Sequence, residues 1–314
     1  MDVPEAERPE AARADLRKRL GVRPFKAVPD GFDPLTASPR ALRAHGYPAR
    51  PDAKAQPRLH DQWVTVMSEP WRMIEPQFEV MDDKAHGPRH DYGLPAGNGW
   101  GGAIAFTKKD DTVTWVSGQW TVPHITPPTS GHCIVANWIG IDGANGDPNG
   151  NDSYDILQTG TTQLIVNGLI QAYLSYVWFE WYPAPPVTIT NLHVSAGDTM
   201  YAVICVYSPT EAGIHLLNRT TGLGTAFIKT SKKVHLVGNC AEWVIEDPTG
   251  ANMVLGRFGD TYFDECVAGT QNGDLLTAGG GTLLKMYDVN GKTIAQPAIE
   301  TDLLVRIRYT DAAP

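Results

Sequence analysis

From Asn98 to the C-terminus the chain is a succession of short apolar segments, each closed by a turn signal, and no helical period persists there. The turns are Asp142-Gly143, Asn149-Gly150, Asn167-Gly168, Ala196-Gly197-Asp198, Thr221-Gly222 and Asn290-Gly291. Between them lie candidate strands at 102–107, 112–122, 133–141, 162–166, 172–182, 199–207, 239–247, 282–287 and 303–309. So many strands in about 215 residues predict an all-β fold. The expected form is a two-sheet antiparallel β-sandwich, a concanavalin-like jelly roll, rather than a small barrel.

Residues 1–97 differ in kind. They hold 13 of the 24 prolines, and their one clear helical pattern is Glu10–Leu20, stopped by Gly21. Pieces such as Pro29-Asp30-Gly31-Phe32-Asp33-Pro34-Leu35 read as extended or turn segments. The expected organisation is therefore a mostly irregular, proline-rich extension or pro-segment over 1–97, containing one short helix, and a β-sandwich domain over 98–314. Trp63, Trp71, Met73 and Phe78 favour docking of the extension on the body, because free tails are poor in large apolar residues.

Charge divides along the same line. Residues 1–97 carry 15 Lys and Arg against 15 Asp and Glu, and the rest carries 11 against 20, which accounts for the net −9. An acidic body argues against nucleic acid as a partner. No apolar run reaches the roughly 18 to 20 residues of a membrane span, so no membrane partner is expected. The first residues, Met1-Asp2-Val3-Pro4-Glu5, are polar with no apolar h-region behind them, so no secretory signal is recognisable. Export by another route, a cytoplasmic location, and a start that is not the natural one are the readings. Cys133, Cys205, Cys240 and Cys266 show no zinc-ligand spacing. One disulfide, Cys240–Cys266, is one reading, and free buried thiols are the other.

Within the body, two segments place a single hydrogen-bonding side chain inside a run that reads as buried strand. These are Asp155-Ile156-Leu157-Gln158-Thr159-Gly160 and Cys240-Ala241-Glu242-Trp243-Val244-Ile245-Glu246-Asp247. A polar group among Ile, Leu, Trp and Val is costly unless something pairs with it. A carboxylate and a primary amide also suffice in principle to cleave a peptide bond with water: the carboxylate takes the proton and the amide N–H holds the oxyanion. Alternation puts Tyr176, Trp178, Glu180 and Tyr182 on one face of their strand and Val177, Phe179 and Trp181 on the other. The first is aromatic yet carries a carboxylate, which suits a ligand groove, whereas Trp181 and Trp243 read as core.

Six segments in order resemble the glutamic peptidases, or eqolisins, over roughly residues 98–270. They are Asn98-Gly99-Trp100-Gly101-Gly102-Ala103, Val116-Ser117-Gly118-Gln119-Trp120-Thr121-Val122-Pro123, Trp138-Ile139-Gly140-Ile141-Asp142-Gly143, Ile156-Leu157-Gln158-Thr159-Gly160, Trp178-Phe179-Glu180-Trp181-Tyr182-Pro183 and Ala241-Glu242-Trp243-Val244-Ile245-Glu246-Asp247. The resemblance implies an acid-acting endopeptidase with Gln158 and Glu242 as its catalytic pair on a concave sheet face. It also implies a substrate cleft lined by Trp100, Trp138, Asp142, Glu180 and Tyr182. The chain departs from the fungal pattern in residues 1–97 and in the Gly/Asn/Asp-rich insertion Ala144–Ser153, which would lie at the cleft rim. A divergent or bacterial-type member is expected.

Taken alone, Asp142 could simply start its turn. A non-catalytic carbohydrate- or peptide-binding sandwich is the rival reading, and separation of Gln158 from Glu242 by the core would favour it. The catalytic pair needs no cofactor, and no metal is expected: Asp147, Asn149, Asn151 and Asp152 lack the spacing and bidentate Glu of a calcium loop. The expected partner is a protein or peptide substrate, and a monomer is expected. Residues 8–58 carry 12 Lys and Arg against 5 Asp and Glu. Such a stretch could cover an acidic cleft near neutral pH and loosen as body carboxylates protonate, placing the N-terminal segment in the protein's own cleft.

Overall fold

The computed structural model describes residues 8–81, 90–91, 99–127, 131–145, 147–150, 153, 155–166, 171–248, 253–288 and 290–310. Asn98, Asn151, Asp152 and the Asn167-Gly168 turn lie outside these.

Twelve main strands build two stacked sheets. They are β1 (Trp100–Phe106), β2 (Val113–Thr121), β3 (His132–Asp142), β4 (Ile156–Val166), β5 (Ala172–Trp181), β6 (Thr199–Ser208), β7 (Glu211–Asn218), β8 (Leu223–Thr230), β9 (Cys240–Glu246), β10 (Asp260–Thr270), β11 (Thr293–Thr301) and β12 (Leu304–Tyr309). The front sheet runs β1-β9-β3-β4-β5, extended by Thr282–Leu284 beside β1 and by Val187–Ile189 beside β5. The back sheet runs β8-β7-β6-β2-β10-β12-β11. All neighbours among these twelve strands are antiparallel. The β-sandwich expected from the turn spacing is the fold observed.

Inward-facing residues of both sheets interdigitate in one core, including Ile139, Leu157, Phe179, Trp181, Trp243 and Ile245 from the front and Trp120, Ile204, Ile214, Phe227 and Phe263 from the back. Large indoles belong in such a core only where their N–H finds an acceptor. Trp243 donates to the Ser117 carbonyl at 2.7 Å, and Trp120 donates to Thr161 Oγ1 at 2.9 Å. These two bonds cross between the sheets and hold β9 and β4 in fixed positions over β2. The four cysteines are free. Cys240–Cys266 does not pair because the two occupy different layers: Cys266 lies in the inter-sheet core and Cys240 in a separate cluster on the front face.

Among its described residues the extension carries three helices where the sequence pattern identifies one. They are α1 (Arg8–Leu20), α2 (Pro39–Ala44) and α3 (Pro57–Met67). Ser38 caps α2 by accepting from the Ala41 N–H, and Pro39 and Pro57 begin α2 and α3, where a missing N–H costs nothing. Leu59, Trp63, Val66 and Met67 form the buried stripe of α3. Trp63, Val66 and Met67, with Leu42 of α2, cover Tyr201, Val203 and Leu217 on the outer face of the back sheet. The extension also lengthens both sheets at one end: Val22–Pro24 pairs with β8, and Phe78–Val80 pairs with Val187–Ile189. Much of the basic stretch thus packs on the back sheet and its edge. On the other side of the sandwich, His90–Asp91 pairs in parallel with Ala144–Asn145, directly after Asp142-Gly143.

Candidate active site

The outer face of the front sheet holds a second cluster: Trp100, Ile104, Trp138, Ile156, Trp178, Cys240, Val244 and Leu284, with Phe106, Tyr176 and Tyr182 against it. Gln158, Glu180 and Glu242 stand on this face, as alternation demands. Strand register sets them in one line across the sheet. Glu242 pairs with Gly140, Gly140 with Gln158, and Gln158 with Glu180. Gln158 and Glu242 are therefore two strand spacings apart, about 9.6 Å between backbones, with a residue that has no side chain between them. A Cβ at position 140 would lie 2.9 Å from the Trp138 ring, 3.1 Å from Glu242 Oε2 and 3.3 Å from the Leu157 carbonyl. The glycine keeps the gap between amide and carboxylate open.

Each polar group is held by a specific partner. Gln158 Nε2 donates to Glu180 Oε2 at 2.8 Å, which orients the amide and leaves its second N–H uncommitted. Cys240 donates its S–H to Glu242 Oε1 at 3.4 Å. Gln158 Oε1 and Glu242 Oε2 are buried and have no hydrogen-bond partner among the described residues. Unpaired polar atoms in a packed interior are uncommon and point to a functional surface. Trp138 Nε1 donates to Glu246 Oε2 at 2.8 Å, and the Trp100 and Trp138 rings meet edge to face at 4.9 Å. Gly160 is required beneath this: a Cβ there would overlap the Asn137 carbonyl oxygen and lie 2.6 Å from Trp138 Cβ.

Burial pushes the Glu242 carboxyl well above the usual carboxylate range, against the Cys240 hydrogen bond and with the help of Asp142 and Glu246. Burial also lifts Glu246 to about 7, against the Trp100 and Trp138 indoles, and Asp247 to about 6. Asp142 likewise rises to about 7 by burial, opposed by three backbone N–H groups. Val237, Gly238 and Asn239 donate to it at 2.7, 2.7 and 2.9 Å. Both its oxygens thus hold the loop that feeds β9, and through it the position of Glu242.

The sequence model of the peptidase A4 family matches residues 98–309. The chain belongs to the peptidase A4 family. Among curated proteins, Aspergillopepsin-2 from Aspergillus niger is 26% identical over 226 residues, covering 65% of this chain and 74% of that protein. Scytalidopepsin B from Scytalidium lignicola is 31% identical over 152 residues, 47% of this chain and 51% of its own. Among solved structures, scytalido-glutamic peptidase with a transition state analog inhibitor superposes with a TM-score of 0.56 at 21% identity, over 68% of this chain and 98% of its own. SCP-B, an eqolisin in complex with the tripeptide Ala-Ile-His, gives 0.54 at 21% identity over the same shares. These likenesses agree on the sandwich fold.

This A4 peptidase is a peptide-bond hydrolase of the glutamic peptidase type. Of the residues singled out in its sequence, Trp100, Trp138, Glu180 and Tyr182 gather on the face that carries Gln158 and Glu242. Trp178, which alternation puts on the groove face, joins them, whereas Gly140, Cys240 and Glu246 were not singled out as site members. Period-2 alternation from Glu242 identifies the last two, which lie two and four residues away along the same strand. Asp142 also anchors the 237–239 loop with both carboxyl oxygens. Among the described residues no three His, Cys, Asp or Glu side chains are grouped to hold a metal ion.

Proposed function

We propose that this peptidase hydrolyses internal peptide bonds of a protein substrate in acid, with Glu242 and Gln158 as the catalytic pair. The single observation that carries the reading is the cross-strand row: amide and carboxylate share one face, separated only by Gly140. A carbohydrate-binding sandwich has no need of that arrangement.

Glu242 Oε2 takes a proton from water as the water oxygen attacks the scissile carbonyl carbon. The carbonyl oxygen becomes an oxyanion and accepts the Gln158 N–H that Glu180 leaves free. Glu242 then returns its proton to the amide nitrogen, the C–N bond breaks, and acid and amine products leave. Trp100, Trp138 and Tyr182 supply the groove wall for substrate side chains, Glu180 holds the amide, and Asp142 holds the loop behind Glu242. A carboxylate that must both accept and return a proton works best where pH lies near its own pKa. Burial raises that of Glu242 above its reference of about 4.3, so the acid working range rests on the likeness to the glutamic peptidases and not on this shift.

The test is digestion of a protein substrate across pH by wild type and Glu242→Gln. The isosteric amide cannot accept water's proton, so turnover should fall by roughly 10² to 10⁴ with the fold intact. A folded variant with near-wild-type turnover, or a wild-type optimum above pH 7, sinks the reading.

A further inference from the structure

We infer that Cys240 is a positioning residue for Glu242: its buried thiol fixes which carboxylate oxygen is free to meet the water. The inference rests on the catalytic pair proposed above and extends it. Cys240 and Glu242 are two residues apart on one strand, so both side chains leave the same face of β9. Neither has any exposed surface. The sulfur lies 3.4 Å from Glu242 Oε1, within reach for an S–H donor, and none of the four cysteines is in a disulfide.

The Cys240 S–H donates to Glu242 Oε1, the one hydrogen bond that defines the pair. Burial, together with the neighbouring Glu242 and Asp142 carboxyls, pushes the thiol well above its ordinary pKa, so it stays a donor. With Oε1 engaged, Oε2 is left on the Gly140 side, where Gln158 follows in register. The two oxygens of the general base are therefore not equivalent.

The charged and titratable groups acting on Glu242 are Asp142 from β3 and Cys240 and Glu246 from β9 itself. Opposite it, β1 presents Ile104, which is apolar. Removing the thiol donor withdraws one stabilising contact from the ionised carboxylate. The acid limb of kcat/KM should then move to higher pH, and kcat should fall about 3- to 10-fold, the scale of one modest hydrogen bond.

The experiment measures pH profiles of kcat and kcat/KM for wild type, Cys240→Ala, Cys240→Val and Cys240→Ser, with circular dichroism and thermal melts as the folding control. Glu242→Gln is run in parallel. Ala and Val remove the donor and differ in volume, so at least one should remain folded. Ser keeps a hydroxyl donor and should hold the acid limb at or below its wild-type position. An upward limb shift in Ala or Val that Ser does not share supports the assignment. An unmoved limb in a folded Ala or Val variant overturns it, as does an equal shift in all three. If Glu242→Gln retains wild-type turnover, the catalytic pair itself is wrong. If that variant is dead while the limb stays put, only the role of Cys240 fails.

Discussion

Replacing Gly140 with Ala tests the site without altering either proposed catalytic side chain. The new methyl would start 2.9 Å from the Trp138 ring and 3.1 Å from Glu242 Oε2, with the Leu157 carbonyl at 3.3 Å. Two of these neighbours are a packed indole and a strand backbone, which have little room to give. Overpacking of this kind costs about 1 to 3 kcal/mol of stability. Loss of glycine's unfolded-state freedom offsets part of it, by roughly 0.4 to 1 kcal/mol. The protein should therefore fold with a modestly lower melting temperature. Activity should suffer far more, because the methyl occupies the gap over which water must reach Glu242 Oε2. Losing general-base assistance costs roughly 10² to 10⁴ in rate. That corresponds to about 2.7 to 5.5 kcal/mol in the barrier at about 1.36 kcal/mol per tenfold. The assay is steady-state hydrolysis of a quenched fluorescent peptide, with Tm followed by circular dichroism. A folded Gly140→Ala protein whose kcat lies within about threefold of wild type would refute the row geometry as the basis of catalysis.

Other outcomes follow from the same structure. Gln158→Ala should lower kcat by about 10² to 10³ with a smaller change in KM, as for other oxyanion donors; a change confined to KM would make Gln158 a binding residue. Stability should fall as pH rises from about 4.5 to 7. Glu246 and Asp142 are held at about 7 and Asp247 at about 6 in the folded state; these three outweigh buried His215, which is lowered to about 4 and acts oppositely, so the folded chain binds more protons than the unfolded one in that window. Below it, Asp260, held low chiefly by its hydrogen bond to Arg308, loses its contribution, so a urea midpoint higher at pH 7.5 than at pH 4.5 would contradict the carboxyl assignments. A chain beginning near Leu94 loses the buried Leu42, Val66 and Met67, each worth roughly 1.5 to 3 kcal/mol, and bares Tyr201, Val203 and Leu217. It should aggregate or melt at least about 10 °C lower; a truncated form as stable as the full chain, and more active than it at pH 6 but not at pH 4, would instead establish a pH gate.

The site was partly legible because a strand's period is two. Once Gln158 and Glu242 are read on buried strands, their faces follow, and Trp181 and Trp243 fall to the core side, where they are found. The strand carrying Gln158 begins at Ile156 rather than 162, so the residue sits inside β4. Other elements left weaker signals. β11 contains Pro297, which argues against a strand, yet the outer neighbour Met286–Tyr287 pairs only at Thr293 and Ala295 and needs nothing from Pro297. β10 is interrupted by Asp264 and Glu265, where its register against β2 shifts and Glu265 takes a positive φ of 56°. α3 was hidden among prolines, although Leu59, Trp63, Val66 and Met67 mark its buried stripe.

Sequence alone thus determined the fold class and the inward and outward faces of the main strands. Those depend on local period and on residue type, which a chain carries with it, whereas the choice of Gln158 and Glu242 as the proposed pair came from six segments that resemble the glutamic peptidases. Tertiary structure decided what stands beside what. Register across β9, β3 and β4 brings Glu242, Gly140 and Gln158 into one row from positions up to about a hundred residues apart. It makes Asp142 the anchor of the 237–239 loop and gives the Cys240 thiol a carboxylate to hold. It sends α2 and α3 to the back sheet, because the apolar surface that matches their stripes is there. No local pattern encodes these pairings, since each depends on how two distant strands or layers settle against each other.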